Sequence, residues 1–269
     1  MPNSGALKVL FIGDIIGRPG RMAVERLLPG LKRDLEVDFT IANGENAAGG
    51  FGLTRRIAEE LTELGIDVLT SGNHIWDRRE VMSDLDSMTN VLRPLNYPPG
   101  LPGRGWLVCE VQGGTRVRVV NLSGRVFMHP LDCPFRAADA LLSQGLPGVT
   151  IVDVHAEATS EKIAMGWYLD GRVSAVLGTH THVQTADQRV LPGGTAYITD
   201  VGMTGPFDSV IGVDKGPILQ RFLTGIPARF ESAAGDVRLS GALVSVDRET
   251  RKAVAIERVH VPLDQRETA

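Results

Sequence analysis

Short apolar runs along this chain end in Gly- or Asn-bearing loops, and amphipathic segments follow them. Residues 7–12 (LKVLFI) form the first such run, closed by Gly13 and Asp14. Residues 19–35 then place apolar side chains at helical spacing, with a proline in the first turn, where a missing N–H is harmless. The pattern repeats with a run over 39–42 before NGEN and a helix over 55–64. It repeats again with a run over 67–70 before SGNH and a helix over 76–85. Such strand–loop–helix alternation predicts an α/β sheet with helices on its faces.

The middle of the chain changes character. Pro94, Pro98, Pro99 and Pro102, with glycines between and after them, mark a long turn region. Two β-rich runs at 106–111 and 116–122 follow, and Gly113-Gly114 between them is a hairpin signal. A helix is expected over 137–142 and a buried strand over 149–154, ending at His155. A run over 175–177 leads into GTHTH (178–182), and further strands are expected at 196–199, 239–247 and 253–261. With no linker, repeat or low-complexity tract in sight, a single domain over residues 1–269 is the expected organisation.

Composition narrows the possibilities. The 269 residues are 43% hydrophobic, enough for a sizeable core, and the formal net charge is −4. That charge argues against strong non-specific binding to a long polynucleotide, which normally needs a basic face. No apolar run reaches the roughly 18–20 residues needed to span a membrane, so no membrane partner is expected. The opening MPNSGALKVLFIG lacks the pattern of a signal peptide and reads as a tail leading into the first strand. The two cysteines, Cys109 and Cys133, have no CxxC spacing, which points to ordinary thiols and a reducing cytoplasm.

Candidate chemistry lies where polar residues interrupt the apolar runs. Asp14 follows the first strand, Glu45 and Asn46 the second, and Asn73 and His74 the third. His155 closes a later strand, and His180 and His182 follow another. Loops at the carboxyl ends of strands in an open α/β sheet line one crevice, where ligands bind. A mixed oxygen and nitrogen donor set there suits Mn, Fe, Zn or Co better than Ca or Mg alone. Singly, each residue has a plainer reading: Asp14 as a helix cap, Asn73 in a left-handed turn, Glu45 as a solvated charge, His155 as a hydrogen-bonding histidine. Five such accidents at equivalent strand ends are harder to accommodate than one site.

GTHTH is the strongest local signal. In extended backbone its histidines at i and i+2 point the same way, toward two metals or around one. Arg18 and Arg21 are candidates for phosphate contact or solvated helix-start arginines. Gly49, Gly50 and Gly52 let backbone approach a ligand or merely permit turns. Phe127, His129 and Phe135 in GRVFMHPLDCPF (124–135) form either a base-stacking or gating loop or a structural crossover. His260 reads as a surface residue on a terminal strand.

The order Asp14, acidic loop, GNH (72–74), lone His155, GTHTH resembles the calcineurin-like metallophosphoesterases. More closely, the chain is similar to their YmdB-type branch, through GDIIGRPGR (13–21), NGENAAGGFGLT (43–54), SGNHIWD (71–77), GRVFMHPLDCPF, the long stretch 152–187 and YITDVGMTGPFDSVIGVDK (197–215). The wider superfamily carries Asp-x-His after its first strand and a bridging Asp in GDxxD. Here Asp14-Ile15-Ile16 and Asn43-Gly44-Glu45-Asn46 stand instead, as in the YmdB-type branch.

The resemblance implies a four-layer α/β/β/α sandwich. It implies two divalent or trivalent transition-metal ions, iron or manganese, one held by Asp14, Glu45, Asn46 and His182. The other would be held by Glu45, Asn73, His155 and His180, with Glu45 bridging and His74 as proton donor. It further implies a phosphodiesterase that opens 2′,3′-cyclic nucleotides to 3′-phosphates. The chemistry is coherent: two ions can activate water and clamp phosphoryl oxygens, and a histidine titrates near neutrality. The alternatives are a broad phosphomonoesterase or nucleotidase using the same site, and a metal-containing regulatory factor that binds RNA or protein. Whether the chain forms a homo-oligomer is left open.

Overall fold

The computed structural model describes residues 5–145 and 148–264; the N-terminal tail expected before the first strand falls largely outside them. In chain order come β1 (Leu7–Ile12), β2 (Asp14–Ile15), α1 (Gly17–Asp34), β3 (Phe39–Asn43), α2 (Arg55–Glu63), β4 (Val68–Thr70) and α3 (Val81–Asp84). Next are β5 (Trp106–Val111), β6 (Thr115–Ser123), α4 (Pro134–Leu142), β7 (Val149–His155), α5 (Thr159–Leu169) and β8 (Ala175–Thr179). The last part holds β9 (Arg189–Val190), β10 (Ala196–Ile198), β11 (Met203–Pro206), α6 (Lys215–Thr224), β12 (Val237–Val246) and β13 (Ala253–Pro262).

Two sheets form. In the first, β12 lies between β13 on one edge and β1 with β11 on the other, and β1 continues to β3 and β4. The second runs β5-β6-β7-β8-β10-β9. Within each sheet the strands that carry candidate site residues are parallel: β1, β3 and β4 in the first, β7 and β8 in the second. Their carboxyl ends therefore open on one rim.

Period-two alternation sorts the strand side chains into layers. Val9 and Phe11 of β1 face inward with Ile41, Val119, Ile151 and Leu177 in the cluster between the sheets. Leu10 and Ile12 face outward, packing with Ala23, Val24 and Leu28 of α1 and Ile57 and Leu61 of α2. On the far side Val152, Val154 and Val176 meet Ala138 and Leu141 of α4 and Met165 and Leu169 of α5. Three apolar layers separate four structural ones, the α/β/β/α sandwich expected. Strands apolar on both faces are what parallel strands covered on both sides require.

Where the elements depart from expectation, local polar contacts explain it. The helix expected over 76–85 shrinks to α3, because residues before it are drawn into site turns: Ile75 N–H donates to Gly72 O and Asp77 N–H to His74 O. Asp14 is not a helix cap; the residue before α1 is Ile16, which makes no side-chain cap. Helix α5 escaped notice because it buries Glu161 and Lys162 beside Met165 and Leu169, which erases its apolar stripe.

Candidate metal centre

The rim assembles the polar strand-end residues from both sheets. Asp14, Asn43 and Glu45 are wholly buried, as is His155, and Asn46 is nearly so. Around His155 the donors converge. Its Nε2 lies 2.9 Å from Glu45 Oε1, 3.0 Å from Asn73 Oδ1 and 3.0 Å from His180 Nδ1. A second group forms alongside: His182 Nε2 is 3.3 Å from the Asn46 amide and 3.7 Å from Asp14 Oδ1. Glu45 belongs to the first group through Oε1, while its Oε2 accepts the His74 backbone N–H at 3.0 Å. All seven expected ligand residues thus meet at one place, and His74 adjoins them.

Outer contacts fix how each imidazole presents itself. His155 Nδ1 lies 2.9 Å from Thr179 Oγ1, whose hydroxyl donates to Asp153 Oδ1 at 2.7 Å. With Nδ1 carrying the proton, Nε2 turns a bare lone pair toward Asn73, Glu45 and His180. His182 Nδ1 lies 2.9 Å from the Ile211 carbonyl oxygen, which likewise aims Nε2 inward. His180 Nε2 is 3.1 Å from Glu157 Oε2, leaving Nδ1 for the cluster.

The donor set fits metal ions. Asp14 Oδ1, Glu45 Oε1 and Asn46 Oδ1 are shut off from water and make no aligned hydrogen bond. A buried oxygen left so is costly; Glu45 Oε1 sits where the ring nitrogens of His155 and His180 converge, and Asp14 and Asn46 lie beside His182 Nε2. Spacings near 3 Å match neighbouring ligands around an ion with bonds of roughly 2.1 Å. Without a cation, burial opposes ionised Glu45, but the His155 charge 2.9 Å away overcomes it and holds the carboxyl below its usual range. Burial opposes the charged form of His155 too, and the Glu45 charge outweighs it. A proton on His155 then balances Glu45, a task a metal ion would take over.

The GTHTH segment reaches the site differently from expectation. Its histidines do not extend β8, which ends at Thr179; both take left-handed backbone, with φ of 96° at His180 and 65° at His182. Such conformations persist only when surroundings over-determine them. Here Asp200 does so: its Oδ2 accepts from Thr181 N–H at 3.1 Å, from Thr181 Oγ1 at 2.7 Å and from buried Lys162 Nζ at 2.7 Å. Asp14 Oδ2 also accepts the His180 N–H at 3.2 Å.

His74 borders the cluster without joining it. Its Nδ1 is held 2.8 Å from Asp77 Oδ2, which leaves Nε2 to face a ligand, and its ring stands edge-on to Phe51 at 5.1 Å. Both line a cavity of about 350 Å³ shared with Glu45, Asn46, His180 and His182.

Other candidates lie elsewhere. Arg21 ties the Glu45 loop in place, donating to Ala47 O and pairing with Glu60. Gly49 and Gly50 do line the cavity, both at positive φ. Phe127 is 89% exposed and away from that cavity, and Phe135 packs on Tyr168. His260 is exposed on β13, as expected, with its ring against Phe207 and Nδ1 3.0 Å from Ser240 Oγ. Sequence reading passed over Asp153, Glu157, Thr179, Lys162 and Asp200. Asp153 left a signal: in VDVH it interrupts an apolar strand two residues before His155, hence on the same face.

Comparison with known proteins agrees with this geometry. The chain is 51% identical over 255 residues to the 2′,3′-cyclic-nucleotide 2′-phosphodiesterase of Bacillus subtilis (strain 168), covering 94% of this chain and 96% of the relative. A hypothetical protein from Thermus thermophilus superposes with a TM-score of 0.90 at 50% identity, over 95% of this chain and 99% of that one. A phosphatase from Mycoplasma pneumoniae superposes at 0.92 with 36% identity, over 100% and 97%. Residues 10–259, which hold every strand-end residue of the centre, match the family described as YmdB-like protein. The chain belongs to the YmdB-like family.

Proposed function

We propose that this protein opens 2′,3′-cyclic nucleotides to 3′-phosphates at a pair of iron or manganese ions. Like its relatives, it is a metal-dependent phosphoric ester hydrolase. The finer reading is carried by one observation, the convergence beside His74 of unsatisfied buried oxygens from the first sheet and imidazoles from the second. Asp14, Asn46 and His182 would hold one ion, Asn73, His155 and His180 the other, and Glu45 would serve both. Because both sheets supply ligands, we read the chain as one domain. Free thiols at Cys109 and Cys133 fit a reducing cytoplasm.

When bound, such ions lower the pKa of water and neutralise phosphoryl charge. The chain's own groups do the rest. A water oxygen attacks phosphorus, the P–O2′ bond breaks, and His74 Nε2 gives its proton to the departing 2′ oxygen. Asp77 fixes the ring for that transfer. Glu45 Oε2, by accepting the His74 backbone N–H, sets the distance between proton donor and metal ligands. The test is product identification from 2′,3′-cyclic AMP, run beside p-nitrophenyl phosphate and metal analysis of the purified protein. Adenosine 3′-phosphate as product is expected; faster turnover of the monoester would replace this reading with a phosphomonoesterase.

A further inference from the structure

The cavity beside His74 has a second side that the reaction just described does not use. Phe51 comes from the loop after β3, and Ile218, Phe230 and Ser232 come from α6 and the segment behind it. Phe51 is 38% exposed although it stands against the His74 ring. Phe230 is fixed from one side by Arg221, whose guanidinium lies 5.1 Å from the ring centre. Ser232 Oγ is closed off from water and has no hydrogen-bond partner. Gly50, at φ 100°, makes room for it: a Cβ there would stand 2.9 Å from that oxygen.

Two aromatic rings next to a phosphoryl site describe a planar ligand. We propose that Phe51 and Phe230 form a nucleobase subsite, the rings stacking on the base, with the Ser232 hydroxyl shut away from water against Gly50. The inference rests on the reading of the metal centre as a cyclic-nucleotide phosphodiesterase and names what that centre selects. At about 350 Å³ the cavity is near the small end of ligand pockets, which suits a mononucleotide and not an oligonucleotide. Stacking tolerates any base, because every base has a π-face. Purines and pyrimidines are therefore both accepted.

The full-length, metal-loaded protein and its Phe51→Ala, Phe230→Ala and Ser232→Ala variants are compared on 2′,3′-cyclic AMP and on glycerol 1,2-cyclic phosphate, which lacks a base. The native protein is expected to prefer the nucleotide in kcat/KM. That preference should fall roughly tenfold in each phenylalanine variant, through KM, and hold in Ser232→Ala, whose hydroxyl is shut away from the cavity. Equal losses on both esters, or no native preference, would overturn the subsite. Calorimetric binding of adenosine 3′-phosphate against glycerol phosphate reads the same contrast without turnover. If neither cyclic ester is hydrolysed, the phosphodiesterase reading fails, while base-dependent binding lost in Phe230→Ala still upholds the subsite. Base-independent binding sinks it.

Discussion

The two sheets contribute opposite halves of the metal centre. The first sheet delivers oxygen donors, from Asp14, Glu45, Asn46 and Asn73; the second delivers the imidazoles of His155, His180 and His182. Their supports differ as sharply. The oxygen half is tied from outside, with Arg21 on Ala47 O and Arg78 on the carbonyls of Ala48 and Phe51. The imidazole half is braced from within, by Asp153 through Thr179 and by the Lys162–Asp200 pair, 1% and 0% exposed. Asn43 Nδ2, at 3.3 Å from Asp153 Oδ2, joins the two. The oxygen half is pinned by arginines on loop carbonyls, whereas imidazoles need a fixed tautomer and rotation, which buried carboxylates impose.

The contrast can be broken at its centre or at either support. Glu45→Gln removes the side chain proposed to serve both ions and should cost the largest factor. Loss of several kcal/mol of charge stabilisation, at tenfold per 1.36 kcal/mol, predicts a drop in kcat on the order of a thousandfold, with metal content falling in parallel. His74→Ala should lower kcat by about 10²–10⁴-fold while atomic absorption finds the same metal per chain. Asp200→Ala strips buried Lys162 of its partner and frees the His180–His182 turn. About 3–5 kcal/mol of stability should be lost, visible as a lower denaturant midpoint. Thr179→Val severs His155 from Asp153 and should weaken metal affinity roughly 10–100-fold, read by chelator competition. Phe127→Ala, outside both halves, should change stability by less than about 0.5 kcal/mol and leave turnover unchanged.

The same contrast explains what the sequence disclosed. The oxygen donors announce themselves, because Glu45 and Asn73 stand in glycine-bearing loops that end apolar runs; the alternation discloses a sheet flanked by helices, and the four layers are legible only through the family resemblance. The imidazoles were visible as GTHTH, but their backbone was not. An extended i, i+2 pair is the default geometry, and the left-handed turn at His180 and His182 depends on Asp200, a residue brought in by a different strand. Asp153 and Lys162 lie within an apolar strand and a mixed helix, where they pass as exceptions until their partners are known. Long-range pairing between buried polar groups leaves no local pattern.

Strand β12 also bears on the order of events as the chain is made. β1, which leads directly into Asp14, is bordered by β3 on one side and on the other by Gly241–Val246 of β12. While the ribosome still holds the C-terminal part, that edge of β1 stands open, a template for mispairing. The rim around Asp14 is finished only when the tail end of the chain arrives and docks. A C-terminal truncation before β12 that spares every proposed ligand is therefore expected to leave the rim around Asp14 unfinished and to bind less metal than the full chain.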